Sequence, residues 1–220
     1  MTVNAVLFGS IGTLVETSNL QRIAFNQAFA QAGLDWEWDN ATYHGLLKQS
    51  GGRQRIADYA NLMNVEVDAD AIHAEKSSVF QAMLSSVQLT PRPGVRALID
   101  ACGKRGISLG FVTTTSAANV EQVLNAIGET VNKNVFGFIG HGAMVERGKP
   151  APDIYRLALE RLGHAAETAV AIEDSETSMH AALEAGIRCI AFPGAEHADE
   201  RFDGALEVVP ELQPASILDR

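Results

Sequence analysis

Four short stretches of this 220-residue sequence bring together side chains able to do chemistry as a set. They are Phe8-Gly9-Ser10-Ile11-Gly12-Thr13-Leu14, Val112-Thr113-Thr114-Thr115-Ser116, Gly148-Lys149-Pro150-Ala151-Pro152-Asp153 and Ile172-Glu173-Asp174-Ser175. They supply hydroxyls, backbone N–H groups at a helix start, a lysine and two adjacent carboxylates. N–H and hydroxyl groups donate to phosphate oxygens, while hard carboxylate oxygens suit a magnesium ion. The expected chemistry is that of a phosphate held beside a divalent cation.

Elements that could position these stretches are readable around them. Val3 to Phe8 is an apolar run that reads as a buried strand opening into the first stretch. Ile107 to Val112, Val135 to Ile139, Ala169 to Ile172 and Ile187 to Phe192 read as further strands. Helical patterns over Val95 to Lys104, Ala117 to Ile127, Pro152 to Leu162 and Ser175 to Ala185 alternate with them, and Pro93 is placed to open the first of these. Such alternation means a Rossmann-like α/β core, a parallel sheet covered on both faces with ligands at the carboxyl ends of its strands.

Between the first strand and Pro91-Arg92-Pro93-Gly94 the period changes. Ile23, Phe25, Ala28 and Phe29, then Ile56, Tyr59, Ala60 and Met63, then Ile72, Val79, Phe80, Met83 and Leu84 recur three and four apart, as on amphipathic helices. About seventy residues of helix exceed an ordinary crossover. The expectation is an inserted helical cap domain at residues 16–89, with the core at 1–15 and 90–220.

Composition narrows the partners. With 27 acidic and 17 basic residues the formal charge is −10, and no Lys/Arg cluster offers the footprint nucleic acid requires. Cys102 and Cys189 have no metal-ligand spacing, and the six histidines include no H-E-x-x-H pattern. The start of the chain lacks a signal-peptide pattern and no apolar run approaches the ~20 residues of a membrane helix. A soluble cytoplasmic protein is expected, without nucleic-acid or membrane partners.

In order and type, the four stretches resemble the four motifs of haloacid-dehalogenase-like hydrolases. In the helical segment, Phe25-Asn26-Gln27-Ala28-Phe29, Gly33-Leu34-Asp35-Trp36-Glu37-Trp38-Asp39, Ser50-Gly51-Gly52-Arg53-Gln54-Arg55-Ile56 and His73-Ala74-Glu75-Lys76 resemble the CbbY-like sugar-phosphate phosphatases, relatives of β-phosphoglucomutase. The resemblance implies an aspartate nucleophile closing the first strand and an acid–base aspartate two residues later. Gly9 and Ile11 hold those positions, so the catalytic pair is absent, although Val6-Leu7-Phe8 and Gly12-Thr13-Leu14 around it are intact. Thr177-Ser178 also replaces a small Asn-Gly-like pair.

The resemblance further implies that Thr113, Thr114 and Lys149 hold phosphate. Glu173 and Asp174 would hold Mg2+, weakened by the missing position-9 carboxylate, and Glu16, Arg53, Arg55 and Lys76 would meet the far end of a phosphorylated sugar. Lys149, without its usual partner, is expected to pair with Glu173 or Asp174. Each role has a plainer competitor: idle strand hydroxyls for the threonines, helix capping for Asp174 or Ser175, surface charge for the cap cations. Ser10 is a weak candidate for a substitute nucleophile. His180 reads as a helix-face residue, and His44 and His73 as cap residues without further features.

Three functions follow: an impaired family member binding a phosphorylated metabolite, a weak or altered Mg-dependent phosphatase, and a protein-interaction module. The first accounts best for the surviving phosphate-binding residues.

Overall fold

The computed structural model describes residues 2–47 and 51–219, so Ser50 of the cap motif lies outside the described residues. In chain order it contains β1 (Ala5–Phe8), the single turn α1 (Ile11–Leu14), α2 (Ser18–Gln31), α3 (Asn40–Leu47), α4 (Gly52–Met63) and α5 (Ala69–Ser85). These are followed by α6 (Val95–Arg105), β2 (Ser108–Val112), α7 (Ala117–Ala126), β3 (Phe138–Gly140) and α8 (Asp153–Leu162). The chain then continues through β4 (Ala169–Glu173), α9 (Glu176–Glu184), β5 (Arg188–Ala191), β6 (Glu207–Val208) and α10 (Pro214–Leu218).

The chain separates into two compact units, a helical one at Thr17–Val87 and an α/β one that ends at Glu16 and resumes at Gln88. In the α/β unit the strands lie in the order β3-β2-β1-β4-β5-β6, and each adjacent pair is parallel. The Rossmann-like parallel sheet expected from the alternation is therefore present. β1 lies between β2 and β4, with Phe8 level with Phe111 and Ile172. Every residue of β1 is buried, because helices cover both faces of a parallel sheet. This register brings the stretches after β1, β2 and β4 to one end of the sheet.

Two boundaries differ from the sequence reading for local reasons. The third strand was expected at Val135 to Ile139, yet Lys133–Val135 forms a 3-10 turn and β3 starts at Phe138. The Asn132 side chain accepts from the Asn134 N–H and winds that turn, leaving Val135 exposed. Pro93 does not open α6 directly; Gly94 caps it at φ +81°, where an added Cβ would collide with the Leu212 backbone. The two exposed residues of β6 are too few to make a sequence pattern.

The helical unit is organised around aromatic side chains. Trp38 is fully buried, with ring centroids 4.9 Å from Phe25 and 4.7 Å from Phe29. Asn26 pins its backbone from both sides, accepting from Trp38 N–H (2.9 Å) and donating to Trp38 C=O (3.0 Å). No helix among the described residues is long and apolar enough to cross a membrane.

Candidate functional site

At the carboxyl end of β1 the chain passes through Gly9 and Ser10 into α1, which starts at Ile11. Gly9 donates its backbone N–H to Ile172 C=O, which aligns the loop with β4. Ser10 is the cap of α1: its hydroxyl oxygen accepts from Thr13 N–H (3.2 Å), and Thr13 Oγ1 donates to Ser10 C=O (2.7 Å). That geometry accounts for Ser10 as a turn former. Ile11 is buried against the unit's core.

Opposite this loop, Glu173 ends β4 and is fully enclosed. Its Oε1 accepts from the Lys149 ammonium (2.5 Å) and from the Tyr155 hydroxyl (2.6 Å), and Lys149 also donates to Gly9 C=O. Lys149 thus pairs with Glu173, one of the two partners expected for it. The lysine comes from the loop before α8, where Ala151 N–H closes a turn on Gly148 C=O (3.0 Å) and Arg147 forks onto Asp153 (2.6 and 3.0 Å). Burial raises the Glu173 carboxyl above the ordinary carboxylate range, and the Lys149 charge opposes that rise. Burial, then the Glu173 charge, raises the Tyr155 phenol well above its usual value.

This network occupies the room a side chain at position 9 would take. A Cβ added to Gly9 would overlap Glu173 Oε1 and the Tyr155 hydroxyl, and one added to Gly12 would overlap Asp174 Oδ2. Both acids therefore lie against glycine backbone in the first motif.

The other sequence candidates fall as follows. Thr113 is buried and its Oγ1 accepts from Thr115 N–H (3.2 Å); Thr114 is half-buried beside Gly148, on the loop that carries Lys149. Ser175 makes no side-chain cap for α9; Glu200 accepts the Glu176 N–H instead (2.6 Å). Glu16, assigned to the cap from sequence, belongs to the α/β unit with its carboxylate beside Gly194. His180 is exposed on α9 near Glu176 (3.6 Å), as a helix-face residue.

Three participants were not singled out from sequence. Tyr155 lies two residues into α8. Arg92 donates to the carbonyls of Gly12, Phe192 and Pro193 (2.7 Å each) and stacks 3.6 Å from the Phe192 ring centroid, tying three loops together. His197 bonds through Nδ1 to Glu200 (2.7 Å). Burial lowers its imidazole, but the Glu200 hydrogen bond and the charges of Asp174, Glu200 and Glu16 outweigh that and raise it. Only tertiary packing unites these residues, so spacing carried no signal for them.

Magnesium, which the resemblance implies, is poorly matched by these donors. It requires near-octahedral oxygen coordination and keeps several waters. Position 9 has no carboxylate, Gly9 C=O and Glu173 Oε1 are taken by an ammonium, and Glu173 Oε2 is buried with no partner among the described residues. Among those residues no group of three His, Cys, Asp or Glu could hold a metal ion.

The helical unit has a basic cluster of its own. Arg55 and Lys76 are buried at 8% and 5% exposure. The Arg55 guanidinium lies 5.9 Å from the Phe25 centroid and 5.8 Å from that of Tyr43, with Nε donating to Leu46 C=O (2.9 Å). Lys76 Nζ lies 4.8 Å from the Phe25 centroid and 5.0 Å from that of Phe80, and donates to Gln21. Burial, and secondarily the Arg55 charge, lowers the Lys76 ammonium from 10.5 to about 7. Arg53 is separate in kind: it is exposed and paired with Asp70. His73 packs on Gly52, its imidazole lowered by burial and then by Lys76 and Arg55.

Two outcomes follow. Gly9→Ala, which forces Glu173 and Tyr155 apart, should cost about 1–3 kcal/mol, read by circular dichroism in urea; an unchanged midpoint would contradict the crowding. Lys76 loses its proton in the folded chain near pH 7 but keeps it to about 10.5 when unfolded, so its contribution makes stability rise with pH between those values. Lys76→Met should flatten that rise in melting temperatures recorded from pH 6.5 to 9.5.

Residues 6–192 match the family model for haloacid dehalogenase-like hydrolases. Protein CbbY of Cereibacter sphaeroides is 41% identical over 206 residues, covering 92% of this chain and 90% of that protein. The phosphorylated carbohydrates phosphatase of Thermotoga maritima is 28% identical over 220 residues, covering 99% and 97%. The crystal structure of CbbY from Rhodobacter sphaeroides in complex with phosphate has a TM-score of 0.89 at 38% identity, covering 99% of this chain and 100% of that one. An aspartate-to-asparagine mutant of CbbY from that organism, in complex with xylulose-(1,5)bisphosphate, gives 0.85 at 39% identity, covering 95% and 94%. On this match, which takes in all four strand-end stretches, the chain belongs to the haloacid dehalogenase-like hydrolase family.

Proposed function

We propose that this protein binds a small phosphorylated metabolite of the sugar-phosphate class and has lost the phosphoryl-transfer step of its relatives. The observation that carries this reading is the space beside Gly9, which Glu173 and Tyr155 fill where a nucleophile would stand. Gly9 has no electron pair to offer phosphorus and Ile11 no proton to give a leaving group. Thr113, Thr114 and Lys149 remain as the phosphate-binding set in the α/β unit, while Glu173 and Asp174, held against Lys149 and Gly12, are a poor magnesium pair. In the helical unit, playing the part of the family's inserted cap, Arg55 and Lys76 are two buried cations suited to an anionic group, with the exposed Arg53 as a lesser contributor. A cytoplasmic setting would keep the buried thiols Cys102 and Cys189 reduced.

A residual phosphatase is the second reading, since an electrostatic site stripped of its nucleophile can retain about 10³- to 10⁴-fold acceleration over water. A protein-interaction role would draw on Leu62, Met63 and Val65, exposed at the end of α4.

The test is a panel of sugar mono- and bisphosphates with excess Mg2+, following phosphate release and melting temperature together. A ligand at a hundredfold excess over its Kd should raise the melting temperature by about 5–10 °C with no release. Robust release by the native chain would overturn the loss of transfer; no stabilisation by any member would overturn the binding reading. Turnover in a Gly9→Asp, Ile11→Asp variant would add that the remainder of the site still supports transfer.

A further inference from the structure

We infer that the Lys149 ammonium takes the place of a divalent cation in this chain, so that the strand-end site is metal-independent. This deepens the binding reading by removing magnesium from the same site, and it rests on that reading only for the identity of the ligand.

The argument begins with enclosure. The Lys149 side chain is 5% exposed and its partner Glu173 0%, so the pair is largely enclosed. A magnesium ion brings several waters with it and needs a hydrated opening on its carboxylates. No opening lies at position 9, because Glu173 and Tyr155 occupy the room beside the glycine. The ammonium also bonds to the two oxygens nearest that position, Gly9 C=O and Glu173 Oε1. One positive charge meets one carboxylate, and the phenol of Tyr155 supplies a further donor to the same oxygen. Asp174, which would complete a metal pair, lies over Gly12 instead.

If the ammonium is a built-in cation, removing it should create a metal site. Lys149→Ala would leave Gly9 C=O and Glu173 Oε1 without the ammonium they accept from, two oxygens facing the space the lysine chain vacates. Mn2+ provides the probe, titrated without any phosphate ligand and followed by electron paramagnetic resonance and melting temperature. The native chain should show no saturable Mn2+ binding in the millimolar range and the same melting temperature in Mg2+ as in EDTA. Lys149→Ala should melt lower, bind Mn2+ at least about tenfold more tightly than the native chain, and regain stability with Mn2+ or with methylammonium.

Saturable sub-millimolar Mn2+ binding by the native chain, abolished by Asp174→Asn, would overturn the inference. So would a folded Lys149→Ala chain that gains no affinity for Mn2+. Should that variant fail to fold, Lys149→Gln removes the positive charge while keeping most of the packing, and the native-chain titration decides independently. A failure of the sugar-phosphate panel would leave these metal results standing, because no phosphate enters them.

Discussion

A carboxylate enclosed as completely as Glu173 is strongly disfavoured unless another group answers its charge, and removing one member of a buried pair costs about 3–5 kcal/mol. Lys149 is the group that answers here, at 2.5 Å, and much of the strand-end architecture follows from the need to deliver it. The turn at Gly148 to Ala151, the Arg147 fork onto Asp153 and the start of α8 all hold the lysine loop against β1 and β4. Tyr155, one turn into that helix, then meets the same carboxylate oxygen. With a side chain at position 9 the pocket would need another arrangement, since glycine is what lets Glu173 and Tyr155 approach the β1 loop.

The helical unit poses the opposite electrostatic problem. Arg55 and Lys76 are buried beside aromatic rings; burial lowers both, and the Arg55 charge lowers Lys76 further. Ring faces and hydrogen bonds, among them those to Leu46 C=O and the Gln21 amide oxygen, soften that repulsion. An anionic ligand group would relieve it further, which gives a physical reason for two cations to be kept where hydrophobic residues would pack at lower cost. The α/β unit thus answers its buried carboxylate with its own lysine, whereas the helical unit buries two cations against the same Phe25 ring.

Much of this was legible in the sequence because it rests on local pattern. Alternating apolar runs and helical periods disclosed the parallel sheet, since both are properties of neighbouring residues. The 3-10 turn at Lys133–Val135 escaped because Asn132 overrides the strand preference of an apolar run. The roles of Tyr155, Arg92 and His197 escaped for a different reason. Arg92 acts on carbonyls 80 to 101 residues distant and Tyr155 on a carboxylate 18 residues on, beyond any spacing rule, while His197 pairs with Glu200 three residues on in a segment without a recognisable pattern. Arg53 illustrates the reverse: its type suggested a ligand contact, and the nearby Asp70 on α5 accounts for its charge at the surface.

The central claim is that the strand-end site is held by the Lys149–Glu173 pair, and a double-mutant cycle tests it most directly. Lys149→Met, Glu173→Gln and the double variant would be unfolded in urea and compared with the native chain. The account predicts single losses of about 3–5 kcal/mol and a double loss well below their sum, with a coupling of at least about 1–3 kcal/mol. Losses that add to within about 0.5 kcal/mol would contradict it, since the two side chains would then be contributing independently.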